Sequence, residues 1–282
     1  MPHDPRFNFM HNIVFIDEIW FYMTKKSTNY YLLPDEDEPH RTCKSKKIIG
    51  KVMFLAAVAR PRFDDERNGT FSGKIGIFPF VTEQLAKRTS VNRVVETLEK
   101  KLITSVTREV NKMFLINHVL PAIKRLWPKE DAGKTIFIQQ DNAKSHVDKN
   151  DEDFLQAASE GGFDIQLTCQ PSNSLDLNIL DLGFFNAIQS LQHKVSAKSV
   201  GDLVKAVKNS FDAFSTIQLD KISITLQSCM VEIMKIKGSN RYKTPHMKKD
   251  SMYNQRELPS QLSCGPSLIQ EVTQYLENLN VF

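Results

Sequence analysis

The chain has 282 residues, ordinary hydrophobic (41%) and charged (25%) fractions and a formal net charge of +4, enough for one large domain or two small ones around a sizeable core. No apolar run approaches the roughly 18 residues of a membrane helix, and the opening Met1-Pro2-His3-Asp4-Pro5 lacks the apolar stretch of a secretory signal. Cys43, Cys169, Cys229 and Cys264 lie far apart without a CxxC pair, which argues against a zinc site or disulfide framework and suits a reducing compartment; the mildly basic pI of about 8.7 permits nucleic-acid binding without requiring it.

After about a dozen polar residues, Ile13-Val14-Phe15-Ile16 forms a continuous apolar run, the pattern of a strand buried on both faces, and it ends directly in Asp17-Glu18. Trp20-Phe21-Tyr22 and Tyr30-Tyr31-Leu32-Leu33 predict a second strand. Val52 to Ala59 is the longest buried-strand candidate, stopped by Arg60-Pro61, since proline does not continue a central strand. A polar turn, Asp64 to Gly69, leads to a strand over Lys74–Val81 whose Gly76 and Pro79 suit a sheet edge. Residues 82–104 are polar and poorly periodic and predict a connecting loop.

From Ser105 the spacing of Val106, Val110, Met113, Phe114, Ile116, Val119 and Leu120 becomes helical, with Pro121 as a candidate kink and Pro128 as the stop. Ile136-Phe137-Ile138 predicts a short buried strand running on to Asp141-Asn142. Asp151 to Ala158 predicts a helix closed by Gly161-Gly162, and the alternation in Phe163–Gln170 marks a half-buried strand. The turn-rich Pro171-Ser172-Asn173-Ser174 precedes a helix from near Asn178; further helical patterns cover 199–214 and 218–236, and a basic tail follows. Strands first, then alternating elements, then helices predict an α/β fold with a mixed sheet flanked by helices.

Three acids sit where elements begin or end: Asp17, Asp141 and Asp181, the last two separated by 39 residues. If the strands carrying the first two are sheet neighbours, their ends lie about 5 Å apart, and a helix start can deliver the third. Converging carboxylates repel one another unless protons or cations intervene, and hard oxygen ligands suit Mg²⁺ or Mn²⁺. Two such ions side by side suit phosphodiester chemistry. Ordinary roles fit the same residues: Asp141-Asn142 as a turn, Asn178 and Asp181 as a helix cap with an acid in its first turn, Asp17-Glu18 as an exposed pair.

The residues around these acids narrow the choice. Ile16-Asp17-Glu18-Ile19-Trp20-Phe21-Tyr22 resembles the first catalytic block of mariner-like transposases. Asp141-Asn142-Ala143-Lys144-Ser145-His146 resembles the second, and Asn173-Ser174-Leu175-Asp176-Leu177-Asn178-Ile179-Leu180-Asp181-Leu182 the third. The 39-residue gap is similar to that of the plant branch, as are Tyr31-Leu32-Leu33-Pro34, Gly50–Leu55 and Gly73–Ile77.

The resemblance implies a ribonuclease-H-like catalytic domain over 1–195, with the inserted loop at about 82–104, and a C-terminal helical extension with a basic tail over 196–282. It implies that Asp17, Asp141 and Asp181 hold two Mg²⁺ or Mn²⁺ ions for cleavage and strand transfer of transposon DNA in the nucleus, in a chain that acts as a homodimer, with no membrane or small-molecule partner. Asn142, His146 and Lys144 fall at motif positions near that centre, as second-shell or DNA-contacting residues; His146 fits a structural role in the strand-to-helix loop equally well. Asp176 belongs to the turn and is not counted as catalytic. Family members carry a helix-turn-helix DNA-reading module ahead of the first aspartate, absent here, and have lysine at the position of Ile19 and proline at that of Leu175. These departures imply a truncated or decayed copy, with a catalytically inert or domesticated DNA-binding protein as the alternative. Lys44-Ser45-Lys46-Lys47 and Lys235, Lys237, Arg241, Lys243, Lys248 and Lys249 are candidate contacts to DNA backbone or import signals, and a solvated charged face explains each cluster as well.

Overall fold

The computed structural model describes residues 5–23, 33–37, 50–85 and 98–279. In chain order the strands are β1 (Ile13–Tyr22), β2 (Lys51–Ala59), the short pair β3 (Arg62–Phe63) and β4 (Gly69–Phe71), β5 (Lys74–Pro79), β6 (Val81–Leu85), β7 (Leu98–Leu102), β8 (Ile136–Gln140) and β9 (Ile165–Cys169). The helices are α1 (Arg108–Phe114), α2 (Leu120–Leu126), α3 (Glu152–Ser159), α4 (Phe185–Gln192), α5 (Val200–Ala213), α6 (Thr216–Lys235), α7 (Lys249–Asn254) and α8 (Pro266–Asn278). Five strands form one mixed sheet in the order β5-β2-β1-β8-β9. β2 runs antiparallel to both β1 and β5, whereas β8 is parallel to both β1 and β9.

The period of two along the central strands supplies a separate core to each face. Val14, Ile16, Leu55, Ala57 and Ala59 point to one side, where Phe114, Leu115, Leu120, Ile123, Trp127 and Phe154 from α1–α3 and the turns beside them cover them. Phe15, Phe21, Phe54, Ala56 and Val58 point to the other, against Phe184, Phe185, Ile188, Val207, Phe211 and Leu226. The helices beyond residue 195 therefore complete the core of the second face. Phe184 is its centre, with edge-on contacts to Phe211 and Phe214 at 5.9 and 5.0 Å between ring centroids.

Three expectations change. Trp20-Phe21-Tyr22 continues β1, because the antiparallel ladder to β2 runs unbroken from Val14↔Ala59 to Tyr22↔Lys51; Tyr30–Leu32 lie outside the described residues. Where a loop was expected over 82–104, β6 and β7 pair as a ribbon with Glu83 opposite Lys100. Its strands show little apolar alternation, so complementary charge across the ribbon is what marks them. Pro121 does not break its helix. The turn over Leu115–Val119 is widened to π-helical spacing, with Leu120 N donating to Leu115 O, and the proline falls in the first turn of α2, where a missing N–H costs little.

The other elements follow the residues that specify them. Asp151 caps α3, its side chain accepting from Phe154 N, and Gly161 and Gly162 end it with φ of 75° and 77°. β5 and β9 are the sheet edges. No helix among the described residues is long and apolar enough to cross a membrane.

His11 stacks on Phe9, and its carbonyl accepts from Arg62 Nη2 at 3.2 Å. Burial first, then the guanidinium charges of Arg60 and Arg62, push the pKa of His11 down to about 4, against a small opposing pull from Asp131. The unfolded chain protonates this imidazole near pH 6.5, whereas the folded chain resists protonation until about pH 4. Stability from this group is complete above pH 6.5 and falls as the pH drops through that window. His11→Gln is expected to flatten the dependence of Tm on pH between 6.5 and 4 relative to the parent; parallel curves would show that His11 contributes nothing to it.

Candidate metal centre

Asp17 lies within β1, opposite Ala56 of β2. β8 pairs in parallel with β1 at Phe15↔Gln139, so continuing that register by two residues brings Asp141, just past β8, level with Asp17. Asp181 reaches the same place from the widened turn Leu180–Phe184 that opens α4. The sequence folds this way because β1 and β8 are apolar on both faces and must be central, which puts the acids that end their apolar runs side by side.

Asp17 and Asp181 face one another. Burial, then the charge of Asp181, then smaller contributions from Glu18 and Asp141 push the Asp17 carboxyl up to about 8, against a bond from the Glu18 backbone. Burial and the charge of Asp141 also raise Asp181, against its hydrogen bond with Asp17. Asp17 Oδ1 accepts from Glu18 N at 2.6 Å and Oδ2 from Asn178 Nδ2 at 3.2 Å. Asn178, 1% exposed, also accepts from Leu180 N through Oδ1 at 3.0 Å. The residue that caps the turn thus ties it to Asp17, while Gln139 Nε2 donates to Leu177 O at 2.8 Å and ties it to β8.

The second block is held differently. Asp141 Oδ1 accepts from Ala143 N at 2.7 Å and sits 2.7 Å from His146 Nδ1, while His146 Nε2 lies 3.1 Å from Glu18 Oε2. Burial alone would lower the pKa of His146, but Glu18 and Asp141 outweigh it and raise it to about 9. The imidazolium is therefore a cationic bridge between the first and second blocks. Asn142 Nδ2 donates to Gln170 O at 2.6 Å, tying the end of β8 to the end of β9. Lys144 is exposed, and its carbonyl accepts from Arg108 Nη2 at 3.0 Å.

Among the described residues no three His, Cys, Asp or Glu side chains are grouped closely enough to hold one ion; Asp141 is engaged by His146. The donor chemistry nevertheless suits a hard divalent cation. Asp181 Oδ2 is buried with no hydrogen-bond partner, and an unpaired buried carboxylate oxygen beside a second carboxyl is costly without a proton or a cation. Asp17→Asn is expected to raise the Tm of the metal-free protein by a few degrees by removing this repulsion, and to abolish any rise in Tm on adding Mn²⁺. A metal-dependent shift surviving in Asp17→Asn would exclude Asp17 as a ligand.

The structure brings Asp17 and Asp181 together, with Asp141 alongside but paired to His146. Glu18, read from sequence as part of an exposed pair, is largely buried against His146, and Asn178, read as a cap, also contacts Asp17. Neither second role has a local signal, because each depends on residues more than a hundred positions away.

The central sheet with helices on both faces is the ribonuclease-H-like fold. No protein-family profile matches the sequence, and no curated protein sequence matches it. Among solved structures the chain is similar to the Mos1 strand transfer complex (19% identity, TM-score 0.56, covering 83% of this chain and 57% of that one). It is also similar to the Mos1 transposase paired-end complex with left transposon end (19%, 0.53, 77% and 53%). A third similar structure is the mariner Mos1 paired end complex with Mg (19%, 0.51, 80% and 56%). The chain spans a little over half the length of these proteins, and the likeness is one of fold.

Proposed function

We propose that this chain is the catalytic core of a mariner-like DNA transposase of the plant branch, performing divalent-metal-dependent cleavage and strand transfer. The observation that carries the proposal is the convergence of the acids from three separate motif blocks at one end of β1 and β8, with Asp17 and Asp181 in direct contact. The similar Mos1 structures, one of them a strand transfer complex and one containing Mg, support the reading.

Asp17, Asp141 and Asp181 would hold Mg²⁺ or Mn²⁺. Bound there, a metal pair supplies Lewis-acid activation of an attacking water or 3′ hydroxyl and neutralises charge at the leaving oxygen. The protein's own part is positional. Asn178 fixes the Asp17 carboxylate and the turn that bears Asp181, and His146 clamps the loop after β8 to Glu18. DNA ends and target DNA are the partners, the nucleus is the place of action, and a homodimer brings two ends together.

Two observations favour a second reading, an inert fold that binds DNA without cutting it. Asp141 is turned to His146, and Leu175, 64% exposed, occupies the turn position where the motif has proline, leaving a less rigid approach to Asp181. Drift of this copy is consistent with both.

The test is Mn²⁺-dependent nicking of supercoiled plasmid, together with joining of a labelled 3′ hydroxyl end to target plasmid. Nicking with joining is expected. Nicking without joining would mark a general nuclease, and a folded protein with neither activity would be the inert form.

A further inference from the structure

A second cleft, of about 550 Å³, begins at Leu182, one residue beyond Asp181, and runs between α6 and the segment 244–251. Lys221, Thr225, His246, Lys248 and Lys249 lie along its walls. The chain just ahead of that segment is docked to the turn that precedes Asp181. The Tyr242 hydroxyl donates to Asp176, and Asn240 Nδ2 donates to Asn173 O at 3.4 Å. Both acceptors belong to the block that ends in Asp181, so the cleft and the acid centre share one support.

The cleft carries uncompensated positive charge. Its one carboxylate, Asp250, is taken by Lys221, whose Nζ lies 2.7 Å from Oδ1 and 4.5 Å above the Tyr253 ring. Lys249 Nζ bonds a neutral hydroxyl, Thr225 Oγ1. Lys248 is exposed and holds a left-handed backbone (φ 48°, ψ 40°) at the start of α7, a conformation that favours glycine. Two other lysines of the tail are matched to acids, Lys235 to Glu232 at 2.7 Å and Lys237 to Glu271 at 3.6 Å. Lys248 and Lys249 line the cleft that begins next to Asp181, and the exposed Arg241 and Lys243 stand just ahead of it in the chain.

We propose that this cleft binds the sugar-phosphate backbone of the DNA strand on the Asp181 side of the acid centre, with Lys248 and Lys249 each neutralising a phosphate. The inference rests on DNA being the substrate of that centre. Lysine contacts to phosphate position a strand and carry no sequence information, so the cleft is indifferent to base sequence.

The experiment measures binding of a short fluorescein-labelled duplex of arbitrary sequence by the full chain, by anisotropy, between about 50 and 200 mM salt. Each lost phosphate contact flattens the plot of log affinity against log salt by about 0.9. Lys248→Gly with Lys249→Gln is expected to flatten it by about 2 and to weaken binding at least about tenfold at the lower salt, while Lys235→Gln leaves the slope unchanged. Lys248→Gly alone relieves the left-handed backbone, keeps the Tm and lowers the slope by about 1, so a misfolded double variant does not decide the question. An unchanged slope in folded Lys248→Gly, or a parent that binds no DNA, overturns the proposal. The rise in Tm with Mn²⁺ is read on the same variants and does not involve these lysines; its absence would overturn the acid centre while leaving the cleft standing.

Discussion

Asp141→Asn in the full chain is expected to reduce Mn²⁺-dependent plasmid nicking by roughly 10²–10³-fold or more, the scale seen when one group that organises transition-state charge is removed. Asp181→Asn is expected to do the same, since its Oδ2 is a buried carboxylate oxygen without a hydrogen-bond partner. The Asn side chain is nearly isosteric, so the fold persists and circular dichroism should be unchanged. Asp148→Asn serves as the control: this acid accepts from Asn150 N in an exposed turn, and its loss should leave the rate within about twofold, as for surface positions generally. Asp141→Asn also removes one anion from His146, leaving Glu18 as its main partner, so the pKa of the imidazole should fall. An NMR titration of His146 that does not move would show that the bridge between the two blocks does not form. Full nicking by Asp141→Asn would remove the three-aspartate centre as the source of any activity.

The largest effect on stability is expected at Arg60. Its side chain is 3% exposed and joins four parts of the chain. Nε pairs with Asp220 Oδ1 of α6 at 2.9 Å, Nη1 donates to Phe9 O at 3.1 Å and Nη2 to Ser260 O at 2.6 Å. Arg60→Ala leaves a partly buried carboxylate and two carbonyls unpaired and opens a void at the end of β2. Breaking a buried pair from one side costs about 3–5 kcal/mol, which in a protein of this size lowers Tm by on the order of 10 °C. Arg60→Lys keeps the charge but not the three-way fork, and should recover only part of that loss. Thermal unfolding followed by circular dichroism measures both. A drop of less than about 1 kcal/mol in Arg60→Ala would mean that the N-terminal segment and the 258–260 loop are held by other contacts.

Arg60 also shows where local reading stops. In sequence it is the residue before a proline that ends a strand, and nothing nearby predicts burial. Its partners lie at positions 9, 220 and 260, and only packing of α6 and the C-terminal loop over the sheet brings them together. The ribbon β6–β7 was illegible for a related reason: an exposed two-stranded ribbon needs no apolar period, and its cross-strand charges become a signal only when the register is known.

Hydrophobic patterning in the sequence specifies the central strands of the sheet and marks the acids at their ends. Uninterrupted apolar runs at Ile13–Ile16, Val52–Ala59 and Ile136–Ile138 place these strands at the centre of a sheet. The order of strands and helices then selects a mixed α/β fold, and the aspartates that interrupt or end those runs are the residues its motif blocks contain. The tertiary structure alone decided how the acids are held: Asp17 against Asp181 and Asn178, Asp141 against His146, and His146 against Glu18. It also decided which tail lysines are neutralised and which line the cleft beside Asp181. Short-range patterns record hydrophobic burial, which each strand or helix expresses in its own period. Pairing between opposite charges joins positions as much as 160 residues apart, and those meet only once the sheet and its two layers of helices have closed.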